Sequence, residues 1–134
     1  MSAIHKIDND NQLIVTTWEG DASDIEFIEA IKEYQINIQS NPDYINYNEI
    51  VDCSKITKLK LTSSGIKTIG TIASSTDSEN INKKLALIVS SNLAFGLARM
   101  YQAYRSFAKS ANKEIRVFKN NDDAINWAKK QQSK

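Results

Sequence analysis

Thr62-Ser63-Ser64-Gly65 places three hydroxyl side chains and a glycine in succession, just ahead of an apolar-periodic stretch. In the first turn of a helix, free backbone amides and the helix dipole favour an anion, and Ser63, Ser64 and Gly65 would sit there. The same hydroxyls also cap a helix by accepting its first free amides, and that local chemistry is sufficient by itself. Upstream, Asp52-Cys53-Ser54 closes another apolar run. At the C-terminal end of a strand, Asp52 would line the side where open α/β sheets bind ligands, in a cleft with Thr62. It would equally well accept hydrogen bonds from the loop beyond it. Cys53 reads as a small buried hydrophobe rather than a nucleophile. The single histidine, His5, is far off near the N-terminus, so no triad is spaced to activate it. No paired Cys or His spacing, calcium loop, phosphate loop or dinucleotide fingerprint occurs. Neither a metal nor a cofactor is therefore expected, and the lack of an acid, base and nucleophile set points away from an enzyme.

One further constellation stands out. The segment 92–107 carries Phe95, Met100, Tyr101, Tyr104 and Phe107 together with Arg99 and Arg105. On a helix, Leu97, Tyr101, Tyr104 and Ala108 form the inward stripe, which leaves Phe95, Arg99 and Met100 toward the rim. An aromatic and arginine rim suits an interface with a partner or a second copy. The alternative is that Phe95 and Met100 fill gaps at the core edge.

These residues need elements to hold them. Residues Ile4 to Ile7, the turn-like Asp8-Asn9-Asp10-Asn11 and the β-branched, aromatic run Leu13 to Trp18 predict an N-terminal hairpin. Ser23-Asp24-Ile25-Glu26 fits a capping box. Phe27, Ile31, Tyr34 and Ile38 then recur at helical spacing up to Asn41-Pro42. A strand is expected at Tyr47 to Val51, ending at Asp52-Cys53-Ser54, and a loop from Ser54 to Leu61. The next helix opens at Thr62 with Ile66, Ile69, Ile72 and Ala73 on one face. Leu85 to Val89 is an unalternating apolar run of the kind buried on both faces of a parallel sheet. Ser91-Asn92 caps a helix expected to reach about Ala111, Ile115 to Phe118 forms a last strand, and Asn121-Asp122-Asp123 starts a closing helix. The order ββαβαβαβα implies right-handed crossovers and a mainly parallel five-stranded sheet with an antiparallel edge, in an α/β sandwich.

Composition agrees with a single domain over residues 1–134. Seventeen basic against sixteen acidic residues leave a net charge of +1, without the basic excess of a nucleic-acid binder. The one cysteine excludes an internal disulfide and fits a reducing compartment, so a cytoplasmic location is expected. The longest aliphatic run, Leu85 to Val89, is too short for stable membrane insertion.

The element order and three local patterns resemble the SpoIIAA-like (STAS-type) family, a two-layer sandwich. Ile50-Val51-Asp52-Cys53-Ser54 looks like its strand ending in an acidic residue. Thr62-Ser63-Ser64-Gly65-Ile66 is similar to the Asp-Ser-Ser-Gly-Leu segment of anti-sigma-factor antagonists. Leu85 to Val89, Phe95-Gly96-Leu97-Ala98-Arg99-Met100-Tyr101, and Val117-Phe118 with the later Ala124-Ile125-Asn126-Trp127 look like uncharacterised bacterial SpoIIAA-like proteins. The resemblance implies a regulatory module that binds a protein partner or forms a homodimer, with Ser64 in the place of a phosphoacceptor. Thr62 departs from it, standing where the phosphorylatable antagonists carry aspartate. The wider family's STAS/SEC14 label implies a second possibility, an apolar pocket for a small lipid-like ligand, with walls from Trp18, Ile69, Phe95 and Tyr101.

Overall fold

The computed structural model describes residues 2–75, 82–106 and 113–129. Five strands, β1 (Ser2–Asp8), β2 (Leu13–Ser23), β3 (Asn48–Lys60), β4 (Lys83–Ile88) and β5 (Lys113–Phe118), form one sheet in the order β1-β2-β3-β4-β5. The β1–β2 hairpin is antiparallel and every other pair is parallel. The helices are α1 (Asp24–Tyr34), α2 (Ser63–Ser74), α3 (Asn92–Ser106) and α4 (Asn121–Ala128). The expected order and mixed sheet are therefore present. Phe107 and the end of the expected α3 stripe, Ala108 and Ala111, lie outside the described residues.

Because each crossover steps one strand in the same direction, right-handed connections drop α1, α2 and α3 onto one face of the sheet. The chain has no point at which strand order reverses, so the crevice that such a reversal opens is missing and binding space must lie elsewhere. Alternation along the strands then sorts two cores. Leu13, Ile50, Ala86 and Ile88 pack under Ala124 and Ala128 of α4, which covers the back of the sheet. Leu85, Leu87 and Val89 face α3, while Trp18, Ala22, Phe27 and Ile69 join β2 to α1 and α2.

Three boundaries differ from the expectation. The first helix does not run regularly to Asn41. It widens into a π turn over Gln35–Gln39, and a 3-10 turn comes next at Pro42–Tyr44. The residues 54–61 are not a loop, since β3 continues through them to Lys60. Pairing with β4 ends at Asp52↔Ile88, but pairing with β2 goes on to Ser23↔Lys60. Register shifts flank Gly20, whose φ of 85° a residue with a side chain rarely adopts. The extension looked polar in sequence because only one side of it is covered, where Ile56, Leu59 and Leu61 pack. The third concerns the capping box at α1, whose reciprocity is altered. The Ser23 hydroxyl accepts from the Glu26 amide at 3.5 Å and donates to the Glu26 carboxylate at 3.0 Å.

Candidate functional site

Successive rows of side chains on the helix-facing side of the sheet define a cavity. His5 pairs with Thr16, Thr16 with Val51, and Val51 with Leu87, while Glu49 pairs with Leu85 one step nearer the strand starts. Above these rows the three helices stand off, leaving a cavity of about 430 Å³. That falls within the range of small-molecule sites, roughly 300–1,000 Å³. Its walls are apolar: Trp18 and Val51 from the sheet, Phe27 and Ile31 from α1, Ile66 and Ile69 from α2, Leu97 and Tyr101 from α3. Small residues on the helices, Ala30, Ala73, Ala94 and Ala98, keep the space open. At one end exposed Ser90, Ser91 and Leu93 form a mouth, with Leu93 63% exposed.

The opposite end, at the starts of the parallel strands, is charged. Glu49 is buried there, and its Oε1 meets Lys113 Nζ at 2.6 Å and Lys83 Nζ at 3.9 Å. Its Oε2 accepts from the Tyr34 hydroxyl at 2.7 Å and from Gln39 Nε2 at 2.9 Å. Burial opposes ionisation of Glu49. The two ammonium groups and the donated hydrogen bonds outweigh that cost and hold its carboxyl at about 2. Burial and the Glu49 charge push the Tyr34 phenol well above its usual range. Arg105, also buried, donates from Nη1 to the Tyr101 hydroxyl at 3.0 Å. His5 stacks on Tyr34 with ring centroids 5.0 Å apart and shares a 2.7 Å hydrogen bond with Thr16. Burial lowers its pKa, against the pull of Glu33.

The hydroxyl cluster singled out from the sequence lies outside this cavity. Thr62 is the N-cap of α2, its hydroxyl accepting from the Gly65 amide at 3.0 Å. Ser63 and Ser64 are exposed in the first turn. The carboxylate of Asp24, at the start of α1, already sits against this turn. It accepts from the Thr62 amide at 3.0 Å and the Thr62 hydroxyl at 2.6 Å, and the Ser64 hydroxyl lies 3.3 Å from that same hydroxyl. A phosphate on Ser64 would meet a negative charge there. Gly65 is buried beneath Asp24, and a Cβ at this position would collide with the carboxylate.

Asp52 is in the middle of β3, not at its end, and alternation turns it toward the face that carries α4. It is thus on the other side of the sheet from Thr62, and the two are not brought together. Its Oδ1 accepts from the Ser54 amide at 2.9 Å and the Ser54 hydroxyl at 2.6 Å. Cys53 is half-buried on the cavity wall, where burial and then the Asp52 charge push its thiol up to about 12. Of the four wall residues expected for a ligand pocket, Trp18, Ile69 and Tyr101 line the cavity, whereas Phe95 does not. Phe95 packs on the β4–β5 side of the core, with Lys119 Nζ 5.2 Å from its ring. Arg99 is exposed and Met100 half-buried.

The charged end was missed. One signal was present: a glutamate among the inward-facing residues of β3, with lysines opening β4 and β5. What the sequence lacked was the register that brings Glu49, Lys83 and Lys113 side by side.

Comparison with known proteins places the architecture. A crystal structure of an uncharacterized protein from the DUF3478 family with a SpoIIAA-like fold, from Shewanella loihica PV-4, superposes with a TM-score of 0.54. The match covers 94% of this chain and 91% of that one at 13% identity. No family model matches the sequence, and no curated protein does. Among the described residues no helix is long and apolar enough to cross a membrane. With element order, sheet topology and superposition in agreement over nearly the whole chain, the protein has the SpoIIAA-like fold.

Proposed function

We propose that the protein is a non-catalytic binding module whose ligand is a small amphiphile held between the sheet and helices α1 to α3. The carrying observation is the cavity of about 430 Å³, apolar along its walls, open near Leu93 and charged at its far end. An apolar body of this kind gains roughly 0.8 kcal/mol for each methylene it removes from water. Catalysis is disfavoured by the chemistry of the lining. The Cys53 thiol stays protonated, and Glu49, held ionised at about 2, is too weak a base. Filling the space should separate binding from folding. Ala98→Phe places a ring into the cavity from α3 and is expected to abolish the organic-extractable ligand that native mass spectrometry finds on wild-type protein. A wild type with nothing bound, unresponsive to added amphiphiles, would remove this reading.

Association with a second copy or a protein partner through α3 is a further reading. It is supported by exposed Arg99 beside half-buried Phe95 and Met100. If it holds, Phe95→Ala with Arg99→Glu lowers the sedimentation mass of the wild type; a mass already monomeric in the wild type and unchanged in the variant rejects self-association.

A further inference from the structure

We infer that the head group of the amphiphile is a carboxylate received at the end where β5 begins, which presupposes that the cavity is the binding site. Hydrogen-bond accounting at Lys113, Tyr101 and Glu49 supports it. The Lys113 side chain is 8% exposed and lines the cavity, and its ammonium can donate three hydrogen bonds. Glu49 is its one protein partner among the described residues. The Tyr101 hydroxyl accepts from Arg105, and its own proton has no acceptor among them. Glu49 is already committed to the protein: Lys113 Nζ lies 2.6 Å from its Oε1, and Tyr34 and Gln39 donate to its Oε2.

What this end presents to a ligand at Lys113 and Tyr101 is therefore donors. The Lys113 ammonium lines the cavity there with the Tyr101 hydroxyl. A carboxylate supplies acceptors only, with two oxygens that can take the Lys113 N–H and the Tyr101 O–H together. An alcohol satisfies fewer donors and brings a proton of its own. An ammonium head would bring only donors to the Lys113 ammonium. With the head at the strand starts, the chain extends along Leu85 and Leu87 toward the mouth at Leu93.

The test is calorimetric titration of delipidated protein with dodecanoate, dodecanol and dodecylamine. Dodecanoate is expected to bind at least about tenfold more tightly than dodecanol, reflecting charge-assisted hydrogen bonds, and dodecylamine most weakly. Tyr101→Phe should weaken dodecanoate about tenfold and leave dodecanol nearly unchanged, since only the charged head makes a strong bond there. Lys113→Met should remove the preference for the acid, and Tyr101→Phe keeps the test available if Lys113→Met fails to fold. Equal affinity for the acid and the alcohol overturns the carboxylate assignment and leaves the cavity reading in place. No binding of any of the three, with Ala98→Phe indistinguishable from wild type, overturns the cavity reading itself.

Discussion

Glu49 carries a heavy electrostatic demand, because it is a buried carboxylate kept ionised beside two lysines. Removing one member of such a group leaves uncompensated charge in a poorly solvated place, which costs roughly 3–5 kcal/mol. Glu49→Gln is expected to destabilise the fold by that amount, read from urea unfolding midpoints at neutral pH. The pH dependence has a definite sign. The folded-state pKa of about 2 lies below the ordinary value of 4.5, so the unfolded chain binds the proton more readily between them. The contribution of Glu49 is complete above pH 4.5 and is lost as pH falls toward about 2. Wild-type midpoints should drop through that window more steeply than those of Glu49→Gln, and parallel curves would mean that the carboxylate is not held this way. Burial at this position could not be read from the sequence. A lone glutamate between Asn48 and Ile50 looks like a solvated strand residue until its neighbours are known.

At the scale of elements, the starts of α1 and α2 are clasped together. Asp24 belongs to α1, yet its carboxylate accepts both the amide and the hydroxyl of Thr62, which caps α2. Gly65 is required beneath it because any side chain there would strike the carboxylate. Gly65→Ala is expected to cost about 1–3 kcal/mol as an overpacked contact. Asp24→Ala should cost about 1–3 kcal/mol through the lost charge-assisted bonds. The pair is predicted to be non-additive: with Asp24→Ala in place, Gly65→Ala meets empty space and costs less than in the wild type. A double-mutant cycle by thermal unfolding checks this, and strict additivity would break the proposed contact. The cap at Thr62 was legible from residue types alone, since Thr-Ser-Ser-Gly ahead of periodic isoleucines is a helix start. Its partner was not, because Asp24 is distant in sequence and reads equally well as a first-turn acid of its own helix.

For the molecule as a whole, the cavity couples ligand to stability. A ligand that binds only the folded protein raises stability by RT ln(1 + [L]/Kd), about 2.7 kcal/mol at a hundredfold excess over Kd. Dodecanoate should therefore raise the melting temperature of wild type with the logarithm of its concentration. Ala98→Phe, with the space filled by its own ring, should show no such rise. A concentration-dependent rise of equal size in both proteins would place binding outside the cavity. The two tryptophans are conveniently segregated as reporters for such work. Trp18 lies on the cavity wall, whereas Trp127 packs against Phe118 on the face covered by α4.

The order of elements, the mixed sheet and the cap at Thr62 were determined by sequence, because each depends on local periodicity or on the chemistry of adjacent residues. The apolar rows of β2 and β4 and the inward stripe of α3 emerged in the same way. Tertiary structure alone decided that the crossovers all step in one direction, that β3 runs on to Lys60, and that Asp52 faces α4 instead of Thr62. It also decided that Phe95 leaves the pocket wall while Glu49, Lys113 and Tyr101 all line it. The physical reason is register. A shift of one residue sends every side chain of a strand to the other face, and register is fixed by packing between elements that no local pattern records.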